Sequence, residues 1–303
     1  MSIIKVQNIS KRFGETVAVD SLNFTVDPGE IFGLLGPNGA GKTTCIRMIL
    51  DIFEPDSGEI TVLDGPMTDD KKNRIGYLPE ERGLYQDIPL GRCLTFLASL
   101  KGMPEKSIGP KLIDYLKYFD LYNVRDKKVK ELSKGMQQKA QLISTLVHDP
   151  DLIIIDEPFT SLDPVNTEMV KDILEEKRDE GKAIIMSTHQ MNQVEELCDR
   201  ILLIDHGHRV LYGTLQEIQE QFASHDIFVR PRTPLPPVIE GVKEIRQLNG
   251  RQLLVLSENV EPHQVLKTLI NQGIEMTAFE VAIPPLNEIF IQVVKKQEKD
   301  EDV

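Results

Sequence analysis

Apolar and polar positions alternate over residues 3–6 and again over 22–26. That period of two belongs to half-buried strands and predicts an antiparallel pair. The pattern then changes. Ile31–Leu35 is a short, nearly continuous apolar run, followed by the glycine-rich GPNGAGKTT and by helix-spaced residues 45–50, which reads as strand, loop, helix. From about residue 90 to 148 the apolar positions keep helical spacing, as at Leu112, Leu116 and Phe119, so a helical insert is expected there. Strand-like runs return at residues 152–155, 183–186 and 200–204. Helical or polar stretches separate them, as parallel strands joined by crossovers require.

Residues 224–237 break this order, with Pro231, Pro234, Pro236 and Pro237 crowded together, and predict a linker. Beyond it, Val242–Leu248 and Arg251–Leu256 flank Asn249-Gly250, a hairpin signal because both central positions of that turn favour positive φ. A helix near Pro262–Asn271, a strand near 274–281 and a helix after Pro285 complete a small α+β module over residues 226–297. The charged residues 298–303 are expected to fray.

Composition narrows the partners. Thirty-five Lys and Arg stand against 48 Asp and Glu, a formal charge of −13, which speaks against nucleic acid because phosphate backbones need positive fields. Cys45, Cys93 and Cys198 are far apart and lack Cys-x-x-Cys spacing, which argues against a disulfide framework or a zinc site and for a reducing, cytosolic setting. No window approaches the roughly 20 apolar residues of a membrane span.

The chemistry begins at Gly36, Pro37, Asn38, Gly39, Ala40, Gly41, Lys42 and Thr43, which fit G-x-x-x-x-G-K-[ST] between a strand and a helix. Glycines let successive N–H groups converge on phosphate oxygens, and the helix start that carries Thr43 and Thr44 adds positive potential. Lys42 would meet the β- and γ-phosphates, and Thr43 would hold Mg²⁺, a hard cation that takes oxygen ligands. Residues 152–155 are four apolar residues followed by Asp156 and Glu157, acids placed where a buried strand emerges. Two acids after a strand are common loop residues. Beside a phosphate loop, Asp156 reads as a water-mediated Mg²⁺ ligand and Glu157 as the group that polarises the attacking water. His189 follows a third core strand that ends in Ser187-Thr188; a lone histidine there is more often solvated than catalytic, and its place at the sheet's carboxyl edge offers contact with the γ-phosphate as the other reading.

Together these features resemble the ATP-binding-cassette (ABC) ATPases over about residues 1–222. Leu132-Ser133-Lys134-Gly135-Met136 occupies the place of that family's LSGGQ-type signature, Ser161-Leu162-Asp163 matches its D-loop and His189 its switch histidine. The resemblance implies an α/β phosphate-loop NTPase core with an antiparallel β subdomain, a helical subdomain at about 86–148 and the C-terminal α+β domain. It implies ATP and Mg²⁺ as ligands, with Phe13 stacking on adenine or simply packing. Ser133, Gly135 and Asp163 would serve a nucleotide at a homodimer or heterodimer interface. Glu80 stands where the family's Q-loop has glutamine, which keeps an oxygen for the metal but adds a charge. Lys134 replaces the first signature glycine, either pointing to solvent or offsetting that charge. The PEERGLY stretch is similar to sodium-efflux-like and antibiotic-efflux-like export cassettes. The resemblance therefore implies an ATPase that dimerises on ATP and drives transport through separate integral membrane permease subunits, peripheral to the cytoplasmic face of the membrane. A soluble regulatory ATPase is the alternative. The C-terminal module would support the dimer or regulate it.

Overall fold

The structure is a computed structural model describing residues 2–81, 83–223, 226–248, 251–257 and 259–301; the side chains of 248 and 294–301 fall outside the description. The chain divides between Leu215 and Gln216 into two compact units. Sequence reading puts this division at 222–226. Most of the intervening helix instead belongs with the second unit, because the first unit's sheet already ends at Thr214.

Along the first unit run β1 (Ile4–Phe13), β2 (Thr16–Val26), β3 (Ile31–Leu35), α1 (Lys42–Ile49), β4 (Ser57–Val62), α2 (Asp69–Asn73) and β5 (Ile75–Leu78). After these come α3 (Leu90–Leu100), α4 (Glu105–Tyr118), α5 (Lys134–Leu146), β6 (Leu152–Asp156), α6 (Pro164–Asp179), β7 (Ala183–Thr188), α7 (Met191–Leu197), β8 (Arg200–Asp205) and β9 (His208–Thr214). The helical stretch predicted at 90–148 is α3 to α5.

A six-stranded sheet has the order β5-β6-β7-β3-β8-β9, parallel except for β9. Every residue of β3, β6 and β7 is buried. Strands covered on both faces read as unbroken apolar runs, which is why these three are visible in the sequence. Pairing of Leu35 with Thr188 and of Asp156 with Ser187 brings the carboxyl ends of β3, β7 and β6 side by side at one edge. The residues after each strand therefore meet.

A second sheet, β2-β1-β4, is antiparallel. Its inner face shares one core with the parallel sheet: Phe24 stacks on Phe32 with ring centroids 5.4 Å apart. Arg200 reinforces the junction, pairing with Glu30 at 3.3 Å while its guanidinium lies 5.1 Å from the Tyr212 ring. Burial is the main reason the Glu30 carboxyl is pushed above its ordinary range, opposed by the Asp27 backbone N–H and by Arg200. All three cysteines are buried, and burial pushes the Cys45 thiol up to about 12.

The second unit carries most of α8 (Leu215–Phe222), then β10 (Ile227–Pro231), β11 (Val242–Leu248), β12 (Arg251–Leu256), α9 (Pro262–Asn271), β13 (Met276–Val281) and α10 (Leu286–Glu301). Its sheet has the order β11-β12-β10-β13, all antiparallel, and its core gathers Ile227, Val229, Leu254, Val265 and Leu269. The predicted linker thus contains a central strand. Ile227 and Val229 are buried in the alternation a strand demands, and Pro231, the strand's last residue, is tolerated because the pairing with β13 shifts register between Arg230 and Pro231. The expected hairpin turn at Asn249 and Gly250 lies outside the described residues. The tail expected to fray is helical through Glu301.

Candidate active site

At the shared edge of β3, β6 and β7 lies a cleft of about 570 Å³. Its lining includes Asn38, Gly39, Gly41, Lys42, Thr43 and Thr44 from the phosphate loop, with Glu80, Asp156, Glu157 and His189. Four separate stretches of sequence thus converge on one place.

The loop can take only this course because it has no side chains at its tightest points. Gly36 and Gly41 have φ of 149° and 108°, and a Cβ on either would fall 2.2 Å from a carbonyl oxygen, that of Ile204 or Ala18 respectively. Helix α1 starts with Gly41 as its N-cap, no side-chain cap and no acid in its first turn. Its leading N–H groups therefore keep their positive potential for an anion. Lys42 Nζ donates to the carbonyls of Gly36 (2.7 Å) and Pro37 (3.0 Å), holding the loop closed on its own lysine. Burial pushes the Lys42 amine below its ordinary range, while Glu157, Asp156 and Glu80 oppose that. A cation crowded by three carboxylates suits a site built for both a polyanion and a metal.

Asp156 ends β6 and is buried; the Thr43 hydroxyl donates to its Oδ2 at 3.3 Å. Burial, with Glu80 and Glu157 nearby, raises the Asp156 carboxyl. The donor set of Thr43, Asp156 and Glu80 consists of oxygens only, which fits Mg²⁺ and suits a softer metal poorly. Glu157 adopts φ of 53° and its N–H donates to the Ser187 carbonyl at 2.8 Å, so the chain turns toward the end of β7. There Glu157 Oε1 meets His189 Nδ1 at 2.6 Å and the His189 N–H at 3.2 Å, and Oε2 accepts from the Thr188 hydroxyl at 3.2 Å. An ionised carboxylate only accepts, so in that state Nδ1 carries the proton.

Other residues singled out in the sequence lie outside this lining. Of the loop residues, Gly36 and Ala40 are buried and Pro37 is half-buried. Phe13, at the tip of the β1–β2 hairpin opposite Thr16, is exposed and packs edge-on against Phe53 at 5.4 Å. Ser133 caps α5, accepting from the Met136 N–H at 3.2 Å. Lys134, the first residue of α5, is exposed. Gly135 passes so close to the D-loop that a Cβ would sit 3.1 Å from the Ser161 carbonyl oxygen. Asp163 caps α6 through the Asn166 N–H at 3.0 Å, a bond that heads the causes holding its carboxyl below the usual range. Sequence reading misses Thr16, Val17, Ala18 and Thr160, which also line the cleft. Only adjacency to Phe13 and to the D-loop could have pointed to them.

Comparison with known proteins places the chain in a family. The family model described as ABC transporter matches residues 19–160, and that described as ATP-binding protein DrrA1-3-like, C-terminal domain, matches residues 213–294. An uncharacterized ABC transporter ATP-binding protein of Bacillus subtilis (strain 168) is 37% identical over 96% of this chain and 98% of its own length. The Nod factor export ATP-binding protein I of Sinorhizobium fredii (strain NBRC 101917 / NGR234) is 33% identical over 98% of this chain and 87% of its own. Among solved structures, an ATP binding subunit of an ABC transporter superposes with a TM-score of 0.69 at 31% identity, over 73% of this chain and 93% of that one.

Proposed function

The chain belongs to the ABC transporter ATP-binding proteins, and from that premise we propose how its own residues carry out ATP hydrolysis and what the hydrolysis drives. It is an ATPase coupled to transport, as members of this family are. The observation that carries the residue assignment is the meeting of the Gly36–Thr44 loop, Asp156, Glu157 and His189 at one sheet edge.

In this reading the Gly36–Thr44 backbone and Lys42 bind the phosphates. Thr43 and Glu80, with Asp156 through water, would hold Mg²⁺, which when bound would neutralise phosphate charge. Glu157 orients the attacking water and accepts its proton, and His189 reaches the γ-phosphate while steadying Glu157. Ser133, Gly135 and Asp163 stand outside the cleft lining of their own chain, which supports a role toward a nucleotide held by a second cassette, identical or related.

The membrane partner is a separate permease subunit: no helix among the described residues is long and apolar enough to cross a membrane. The chain would work at the cytoplasmic face of that membrane. Export is the direction we favour, since relatives similar along almost the whole chain include Nod factor export proteins. The C-terminal module, residues 226–297, would support or regulate the dimer.

The test is Mg²⁺-dependent phosphate release by the purified chain, wild type and Glu157→Gln, with light scattering in ATP. The substitution should nearly abolish turnover and accumulate an ATP-bound dimer. Normal turnover would overturn the role given to Glu157. Transport predicts that the chain isolated from detergent-solubilised membranes brings an integral membrane protein with it; recovery of the chain alone favours the soluble regulatory reading.

A further inference from the structure

Thr188 is fully buried as the last residue of β7, between the ends of β3 and β6. Its hydroxyl lies 3.2 Å from Glu157 Oε2 and 3.1 Å from the backbone nitrogen of Gln190, the residue that precedes α7. The amide of Gln190 can only donate, so it occupies a lone pair of the hydroxyl. A hydroxyl keeps one proton to give, and an ionised carboxylate can only accept, so that proton points at Glu157 Oε2. The Gln190 N–H thereby fixes which way Thr188 donates.

Glu157 reaches this position by a left-handed backbone turn, φ 53°, that non-glycine residues rarely adopt. Such a conformation is strained and persists where surrounding contacts hold it. Those contacts are divided between the two carboxylate oxygens. Oε1 receives the His189 backbone N–H and Nδ1, and Oε2 receives Thr188. His189 is the solvent-facing member, its side chain 60% exposed against 10% for Glu157. Thr188 is the buried member of the pair.

We infer that Thr188 is a positioning residue for hydrolysis: its hydroxyl, oriented by the Gln190 amide, fixes the Glu157 carboxylate plane toward the attacking water from the Oε2 side, while His189 holds Oε1. This rests on the reading of Glu157 as the water-orienting group. Displacement of such a group by about 1 Å can cost roughly 100-fold in rate. Losing the Thr188 donor frees the Oε2 side of the carboxylate to swing.

The test compares Thr188→Val, which keeps the shape but not the donor, with Thr188→Ser, which keeps the donor but not the methyl group. Thr188→Ala serves as a second donor-free variant should valine fail to fold. Steady-state ATPase and affinity for a non-hydrolysable ATP analogue are measured beside Glu157→Gln. The expected result is a kcat lower by about 10- to 100-fold for the donor-free variants. KM and analogue affinity should stay close to wild type, and serine should restore most of the rate. Wild-type kcat in Thr188→Val or Thr188→Ala, with Glu157→Gln inactive, would overturn the inference and leave the Glu157 reading intact. Serine no better than alanine, with KM raised in both, would also overturn it, because that is the mark of a merely structural residue. Normal turnover by Glu157→Gln would instead remove the premise.

Discussion

His189 Nδ1 lies 2.6 Å from Glu157 Oε1, although 32 residues separate the two in sequence. The parallel pairing of β6 with β7 produces the contact, since each residue comes just after the end of its own strand. The histidine thus spends one ring nitrogen on the carboxylate and has only Nε2 left for a phosphate. A base steadied by one donor and a phosphate reached by the other are coupled through a single ring.

That coupling predicts unequal losses. Glu157→Gln removes proton acceptance and should lower kcat by at least about 100-fold, in the range general base catalysis supplies. His189→Ala should cost kcat less than Glu157→Gln does, because Thr188 still holds the other oxygen. Single-turnover hydrolysis with saturating ATP checks both, and a larger loss for His189→Ala would reverse the assignment of base and support.

Glycine substitutions separate folding from binding. Gly36→Ala and Gly41→Ala place a Cβ 2.2 Å from a backbone oxygen, and each should cost more than about 2 kcal/mol of stability as well as ATP binding. Gly39, with φ of 82°, has open space where its Cβ would go and lines the cleft. Gly39→Ala should therefore melt within a few degrees of wild type, the left-handed penalty of about 1–2 kcal/mol being its only folding cost, yet bind ATP more weakly. Thermal melts and analogue titrations give the two readouts.

Acid stability has its own residue. His148, at the end of the α5 segment, places Nε2 3.2 Å from the Ile75 carbonyl oxygen. Burial, with Lys101 and Lys111 adding repulsion against a partly opposing Ile75 bond and Asp149, lowers its imidazole to about 4 from 6.5. The unfolded chain therefore binds a proton that the folded chain refuses between those values. This contribution leaves stability untouched above about pH 6.5 and erodes it as pH falls toward 4, by up to about 3 kcal/mol. Denaturant melts across that window should show a shallower slope for His148→Gln. An unchanged slope would remove His148 from the account.

How much of the fold and the site is legible in the sequence depends on where the causes lie. Ile31–Leu35 and the strands ending at Asp156 and Thr188 are visible because full burial on two faces imposes apolar runs. The phosphate loop is visible because its constraint is local: glycine at positive φ, then lysine at a helix start. Strand β10 is hidden by the prolines after it, since only its pairing with β12 and β13 reveals Ile227 and Val229 as a central strand's inward face. The close approach of Gly135 to the Ser161 carbonyl oxygen, which leaves little room for a Cβ, is equally out of reach, because 26 residues and a strand separate them. Sequence presents Ser133, Lys134 and Gly135 as a signature segment at a dimer interface and says nothing of what lies beneath it.

The packing beneath that helix start ties it to the D-loop. Helix α5 is fastened to the segment after Glu157 at successive points. Buried Gln138 donates from Nε2 to the Pro158 carbonyl oxygen at 3.2 Å, and Lys139 Nζ donates to Asn166 Oδ1 at 3.0 Å. Asn166 in turn donates from its backbone to Asp163. The helix that begins at Ser133 and the D-loop are thus one mechanical piece, so a nucleotide pressed on the helix start would bear on the residues next to Glu157. Gln138→Leu keeps the bulk and removes the donor, leaving the Pro158 carbonyl oxygen unpartnered at a cost of about 1–3 kcal/mol. Monomer affinity for ATP should not change, because Gln138 is absent from the cleft lining. ATP-dependent dimerisation in a Glu157→Gln background, and turnover in the wild-type background, should both fall. Loss of monomer ATP binding, or turnover unaffected in a folded Gln138→Leu chain, would show that the helix start and the D-loop act independently.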